Sequence, residues 1–281
     1  MVNLPKISII TPSYNQDHCI EECILSVINQ DYSNIEFIII DGKSTDNSVE
    51  IIKKYADQIT YWVSESDKGI YDAMNKGIEK ATGDWLYFLG TDDKLQKGVI
   101  SQIFCYENLE ECNFLYGEVE SKNTTFVHRG TVDYANLFER NLCHQVIFYH
   151  KNLFENLGNY NKKYKLYADW DFNIRCFTYK HIKPKYVDKI VCTYSGEGIS
   201  SHTIDEVFKK EKLPKYINKF LVKVSTPDVE KYKYHILDAI RQKGFPYNIK
   251  TIILYLYRKP NLLALKSLYY LLLEKFESSS Q

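Results

Sequence analysis

No run of 18 apolar residues occurs anywhere in this 281-residue chain, so no stretch reads as a helix long enough to cross a bilayer. The opening residues MVNLPKISIITPSYN lack the charged start, apolar core and cleavage site of an export signal, and the cytoplasm is the expected compartment. Cysteine is present but unorganised: seven residues (19, 23, 105, 112, 143, 176 and 192), odd in number, with no Cys-x-x-Cys and no Cys/His cluster. That disfavours a structural zinc or a disulfide framework and leaves reduced thiols as the default. Neither Gly-x-x-x-x-Gly-Lys-Ser/Thr nor Gly-x-Gly-x-x-Gly occurs, which disfavours P-loop and dinucleotide chemistry. Internal repeats and low-complexity linkers are missing too.

Net charge is zero, yet the zero is an average. Residues 1–202 hold 21 Lys+Arg against 28 Asp+Glu, and residues 203–281 hold 15 against 8. An acidic body argues against extensive nucleic-acid phosphate tracking, so no nucleic-acid partner is expected. The asymmetry divides the chain into an α/β domain over 1–202 and a basic helical region over 203–281.

Strand and helix signals alternate along the first part. Lys6–Thr11 is an Ile-rich buried strand closed by Pro12, and residues 17–30 place Ile20, Cys23, Ile24, Val27 and Ile28 at helical spacing. Glu36–Ile40 is a second strand ending at Asp41-Gly42. A helix follows over Asp46–Tyr55, then a third strand over Ile59–Ser64. Residues 70–81 put Ile70, Ala73, Met74, Gly77, Ile78 and Ala81 on one helical face, and Trp85–Leu89 is a fourth strand. Such alternation predicts a mostly parallel, helix-covered sheet with ligands beyond the carboxyl ends of its strands. Further short strands are expected near 114–120, 125–129, 145–149 and 186–195, with a helix near 168–180.

Polar residues gather at those strand ends: Thr11-Pro12-Ser13-Tyr14, Asp41, and Thr91-Asp92-Asp93. Adjacent carboxylates after a buried strand suit a Mg²⁺ or Mn²⁺ that substrate phosphates complete. A helix cap at Lys94 would explain Asp92 and Asp93 equally well. Gly69 opens a helix whose N-terminus can face an anion, with Asp72 and Asn75 three apart on it. In Tyr167-Ala-Asp-Trp-Asp, Asp169 and Asp171 lie about 200° apart on a helix and cannot share one pocket. One of them is placed to act as a general base, or both are first-turn acidic caps.

Taken in order, Ile-Ile-Thr-Pro-Ser-Tyr-Asn, Ile-Ile-Asp-Gly-Lys-Ser-Thr-Asp, Ser-Asp-Lys-Gly-Ile-Tyr-Asp-Ala-Met-Asn-Lys-Gly and Phe-Leu-Gly-Thr-Asp-Asp resemble the family-2 glycosyltransferases of the GT-A fold. The likeness covers roughly residues 5–200, and the Gly-Ile-Tyr-Asp-Ala-Met-Asn variant resembles bacterial polysaccharide-assembly enzymes. It implies an inverting, hexosyltransferase-type enzyme that takes a UDP-linked sugar to a glycan or polyprenyl-diphosphate-linked acceptor. Thr11, Pro12, Ser13 and Tyr14 would line the nucleoside, and Asp41 would accept from the base. Asp67, Lys68, Gly69, Tyr71, Asp72 and Asn75 would border ribose, diphosphate and sugar. Thr91, Asp92 and Asp93 would form the metal motif, Asp93 as the direct ligand, with His202 either completing it or standing solvated in a loop. Asp169 would be the base, although Ala168 stands where many members carry an acid, which leaves Asp171 as the alternative. His144 and Gln145 would lie at the donor or acceptor cleft.

Residues 247–276 are short, apolar, aromatic and flanked by Arg and Lys. They read either as an interfacial helix at an anionic inner leaflet or as a packing or dimer surface. Two rival functions fit less well. A nucleotidyltransferase would want a Gly-rich first loop, where this chain has Pro-Ser-Tyr-Asn-Gln. A non-catalytic sugar-nucleotide-binding protein would have no need of Asp92, Asp93 and Asp169 together.

Overall fold

The computed structural model describes residues 4–121, 130–134, 136–195, 203–213 and 215–216, with only the backbone of residue 139. By internal contacts the chain divides into two units. One comprises 1–131 with 142–203, and the other 132–141 with 204–281.

The first unit is built on an eight-stranded sheet in the order β3-β2-β1-β4-β7-β6-β8-β5. Its strands are β1 (Ile7–Ser13), β2 (Ile35–Asp41), β3 (Tyr61–Ser64), β4 (Trp85–Phe88), β5 (Lys94–Leu95), β6 (Phe114–Ser121), β7 (Ile147–His150) and β8 (Pro184–Tyr194). The half that the Ile-rich runs predict is parallel: β1 pairs with β2 from Ile7↔Ile35 to Ser13↔Asp41, and with β4 from Ile7↔Trp85 to Ile10↔Phe88. Beyond Phe88 the β4 partner is gone, and Pro12, which has no N–H to donate, falls in that opening. The other half mixes directions, with β6 parallel to β8. β7 is antiparallel to both β4 and β6, and β5 is antiparallel to β8, so four of the seven pairings are parallel and the sheet is mixed.

Helices α1 (Ile20–Ile28), α2 (Ser48–Lys54), α3 (Ile70–Lys80), α4 (Val99–Phe104), α6 (Asn152–Leu157) and α7 (Ala168–Thr178) accompany this sheet. Ile7, Ile9, Ile24, Phe37, Ile39, Trp85, Tyr87 and Phe148 form a buried core on one side. Elsewhere aromatic rings interlock, with Phe154 stacked on Phe172 at 4.2 Å and Tyr149 and Tyr160 edge-on to Phe172. Much of the tyrosine content is therefore packing: Tyr32, Tyr71, Tyr87, Tyr116, Tyr149, Tyr160 and Tyr164 are all buried.

Two local expectations are corrected. Ile70, expected inside, is 43% exposed, and Tyr71 takes the buried place at the start of α3. No helix begins at Lys94. That residue opens β5, and α4 starts only at Val99 after Gly98, so Asp92 and Asp93 cap nothing.

In the second unit, α5 (Asn136–Glu139) and a π turn (Phe208–Lys212) are described, with Leu137, Phe138, Phe208 and Leu213 buried. The expected strand at 125–129, His202 and the segment 247–276 lie outside the described residues. Among the described residues no helix is long and apolar enough to cross a membrane.

Candidate active site

The carboxyl ends of β1, β2 and β4 carry the polar residues that the strand pattern predicts there. Tyr14 leaves the end of β1 and is 59% exposed. Beside it Gly42 allows a close approach: a Cβ there would stand 2.6 Å from Asp67 Oδ2 and 3.3 Å from the Tyr14 ring. An exposed aromatic face and a carboxylate thus meet at one corner, an arrangement suited to a nucleoside's flat base and its hydrogen-bonding edge. Asp67 Oδ1 accepts the Gly69 N–H at 2.8 Å, which shapes the entry to α3.

Asp41 ends β2, as the sequence pattern places it. It is fully buried, and its oxygens accept the Ser44 N–H at 2.9 Å, the Ser44 hydroxyl at 2.5 Å and the Ser64 hydroxyl at 2.6 Å. These bonds tie the carboxylate to the loop after β2 and to the end of β3. Asn75 is engaged within the chain too. Its amide accepts the Tyr160 N–H at 3.0 Å and donates to the Tyr160 carbonyl at 2.9 Å, which fixes that loop. Asp72 pairs with Lys162 at 2.7 Å and accepts the Lys68 N–H, and the Lys162 bond holds its carboxyl below the usual range.

After β4 the chain turns tightly, the Asp93 N–H reaching the Gly90 carbonyl at 3.2 Å. A Cβ on Gly90 would lie 2.6 Å from Asp93 Oδ2 and 3.0 Å from Asp92 Oδ1, so both carboxylates fold back over a residue that must have no side chain. Asp93 is completely buried. Its Oδ2 accepts from Gln145 Nε2 at 2.8 Å and its Oδ1 from the Ser195 N–H at 3.2 Å, while Asp92 accepts the Ser195 hydroxyl. Burial, and then the neighbouring Asp92 charge, push the Asp93 carboxyl up to about 6, against the opposing pull of Gln145, Ser195 and His144. Two hard oxygen donors, one of them strained by its own charge, fit a divalent cation. Among the described residues no third His, Cys, Asp or Glu joins them, and His202 lies outside those residues. Sequence reasoning misses Ser195. Its only sequence signal is its place next to the Gly-containing segment that begins at residue 196.

Across the site, α7 presents two carboxylates in its first turn. Asp169 is 4% exposed; its Oδ1 accepts the Tyr71 hydroxyl at 2.7 Å and its Oδ2 faces His144 Nδ1 at 3.4 Å. Asp171 points elsewhere, as the helical angle requires, and is paired with Arg175 Nε at 2.9 Å. The same guanidinium donates to the Leu157, Gly158 and Asn159 carbonyls. That makes Asp171 part of a loop clamp. Two buried polar atoms, Ser13 Oγ and His144 Nε2, have no hydrogen-bond partner among the described residues. Orphans of this kind call for a ligand or water.

A parallel nucleotide-type half-sheet continued by antiparallel strands, with paired carboxylates at the end of β4, is the architecture of GT-A glycosyltransferases. S. aureus TarS 1-349, crystallised with UDP-GlcNAc, superposes with a TM-score of 0.61 at 19% identity, covering 90% of this chain and 72% of that one. A mannosyltransferase from Pyrobaculum calidifontis, in complex with GDP-Man and Mn²⁺, superposes with a TM-score of 0.54 at 15% identity over 96% and 75% of the two chains. In sequence, a PGL/p-HBAD biosynthesis glycosyltransferase of Mycobacterium bovis (strain BCG / Pasteur 1173P2) is 38% identical over 217 residues, 75% of this chain and 84% of the relative. The family model described as Glycosyl transferase family 2 matches residues 8–190. The chain belongs to glycosyl transferase family 2.

Proposed function

We propose that this enzyme transfers a hexose from a UDP-linked donor to a hydroxyl of a glycan or lipid-linked acceptor, with inversion and with help from Mn²⁺ or Mg²⁺. One observation carries the reading: His144 and Gln145, adjacent in the chain, contact Asp169 and Asp93 respectively. A carboxylate suited to a base and a carboxylate suited to a cation therefore stand one dipeptide apart. Support for UDP comes from the TarS neighbours solved with UDP and UDP-GlcNAc, and for a metal from the Mn²⁺ of the mannosyltransferase. The name of the mycobacterial relative, a PGL/p-HBAD biosynthesis glycosyltransferase, supports a biosynthetic role.

In this reading the exposed Tyr14 ring stacks on the base, Asp67 borders the nucleoside, and Asp92 and Asp93 would hold the cation beside the diphosphate. When bound, the cation supplies Lewis-acid neutralisation of the departing diphosphate. Asp169 takes the proton of the acceptor hydroxyl, whose oxygen attacks the anomeric carbon from the face opposite the diphosphate. The new C–O bond forms as the old one breaks, and the electron pair leaves with the nucleotide. The enzyme works in the cytoplasm, with residues 247–276 bringing it to the inner leaflet.

The test is a panel of UDP-, GDP-, CMP- and dTDP-sugars, each with Mn²⁺ or EDTA, scored by thermal stabilisation and by transfer. UDP-sugars with Mn²⁺ should stabilise the protein. Asp169→Asn should retain that stabilisation and lose transfer by at least about a thousandfold, whereas Asp171→Asn should keep transfer within about tenfold. Stabilisation by a donor without transfer would leave a non-catalytic sugar-nucleotide-binding protein, and no response to any donor would overturn the donor site itself.

A further inference from the structure

The bond between Tyr71 and Asp169 joins two elements 98 residues apart. Tyr71 sits in the first turn of α3, a helix whose entry the family resemblance assigns to the donor, yet its side chain is only 6% exposed. Its hydroxyl is turned towards the start of α7. Its ring packs at 5.4 Å against Tyr160, and Asn75, one turn further along α3, fixes the Tyr160 backbone through two hydrogen bonds. The hydroxyl proton has two acceptors within reach, Asp169 Oδ1 at 2.7 Å and the Leu166 carbonyl at 2.9 Å. The charged and nearer one takes the larger share. Burial, reinforced by the Asp169 charge, holds the phenol well above its usual range, so it stays a donor throughout the working pH span.

We infer that Tyr71 is a positioning residue: its O–H, offered from α3, fixes the rotamer of Asp169 while His144 flanks the other oxygen. The inference rests on the reading of Asp169 as the base. A carboxylate on the first turn of a helix has χ1 and χ2 free to rotate, and a base must be held within a fraction of an ångström of its proton. One oxygen anchored by a buried, uncharged donor keeps the carboxylate aimed. The same contact ties the helix that borders the donor to the residue that activates the acceptor.

Tyr71→Phe tests this, because the ring and its packing on Tyr160 remain and only the O–H is lost. Transfer kcat should fall between about tenfold and a hundredfold, the range of a hydrogen bond to a charged group. Donor Kd by nucleotide titration and the acceptor KM should stay within about twofold. In single turnovers with labelled donor, Tyr71→Phe should add less than about twofold to the loss caused by Asp169→Asn, since both act through one group. A wild-type kcat in Tyr71→Phe, or its full factor persisting in the double variant, overturns the positioning role and leaves the base assignment intact. Near-normal turnover in Asp169→Asn alone instead sinks the base assignment itself. Thermal unfolding of Tyr71→Phe separates a general loss of folding, which would weaken donor binding as well, from the specific loss of rate.

Discussion

Replacing Asp93 by Asn should make the metal-free protein more stable at neutral pH and less able to use a cation. The folded chain pushes the Asp93 carboxyl from an ordinary 3.8 to about 6, chiefly by burial and then by the Asp92 charge. A native pKa above the unfolded one means that the folded state binds more protons, so stability falls as pH rises from about 4 to about 6 and stays lowered above that. The full difference corresponds to about 3 kcal/mol. Asn removes the charge but offers one acceptor oxygen, so either Gln145 or the Ser195 N–H loses its partner, at about 1 kcal/mol. The net gain is about 2 kcal/mol at pH 7.5, shrinking to about zero at pH 4.5, where Asp93 is mostly protonated in the folded protein. Urea unfolding in EDTA at the two pH values reads this directly, as a midpoint shift at constant slope. Saturating Mn²⁺ should reverse the order, because a ligand at a hundred times its Kd adds about 2.7 kcal/mol to the wild type alone. A variant weaker than the wild type by the same amount at both pH values in EDTA would refute the reasoning, since the raised carboxyl would then not exist.

Asn75→Ala should lower stability by about 2–3 kcal/mol, because it strands the buried Tyr160 N–H and carbonyl, while nucleotide Kd changes less than about twofold; calorimetric titration beside thermal unfolding checks both. A chain ending near residue 245 should lose flotation with acidic liposomes that the full chain retains, and undiminished flotation would defeat the proposed membrane contact.

What could be read from the sequence follows the range of the interactions involved. β1, β2 and β4 announce themselves because strands covered on both faces are runs of Ile and aromatic residues bounded by polar ends. The same strand pattern, by itself, puts Ser13, Asp41 and Asp92 at one edge of the sheet. β5 does not announce itself: two residues, Lys94 and Leu95, become a strand only because Thr193 and Cys192 lie alongside. Ile70 and Tyr71 trade places for a similar reason. Apolar spacing favours Ile70, but a buried carboxylate on α7 and the Tyr160 ring give Tyr71 more to do inside. Asp41 is the plainest case. Its position at a strand end is written in the sequence, but the engagement of its oxygens depends on Ser64, 23 residues away on β3.

The two carboxylate centres also differ in how the fold treats charge, and that difference supports their separate roles. Asp93 is buried beside a second acid, an arrangement costly when empty and relieved by a cation, so the fold stores at that point a demand for positive charge. Asp169 is instead met by a phenol that cannot give up its proton to it and by an imidazole nitrogen. Such neighbours hold both oxygens of the carboxylate, which suits a group whose aim matters. Gln145, neutral and two-handed, bonds the first centre without cancelling its charge. Adjacent His144 contacts the second, so a shift of this dipeptide disturbs both carboxylates together.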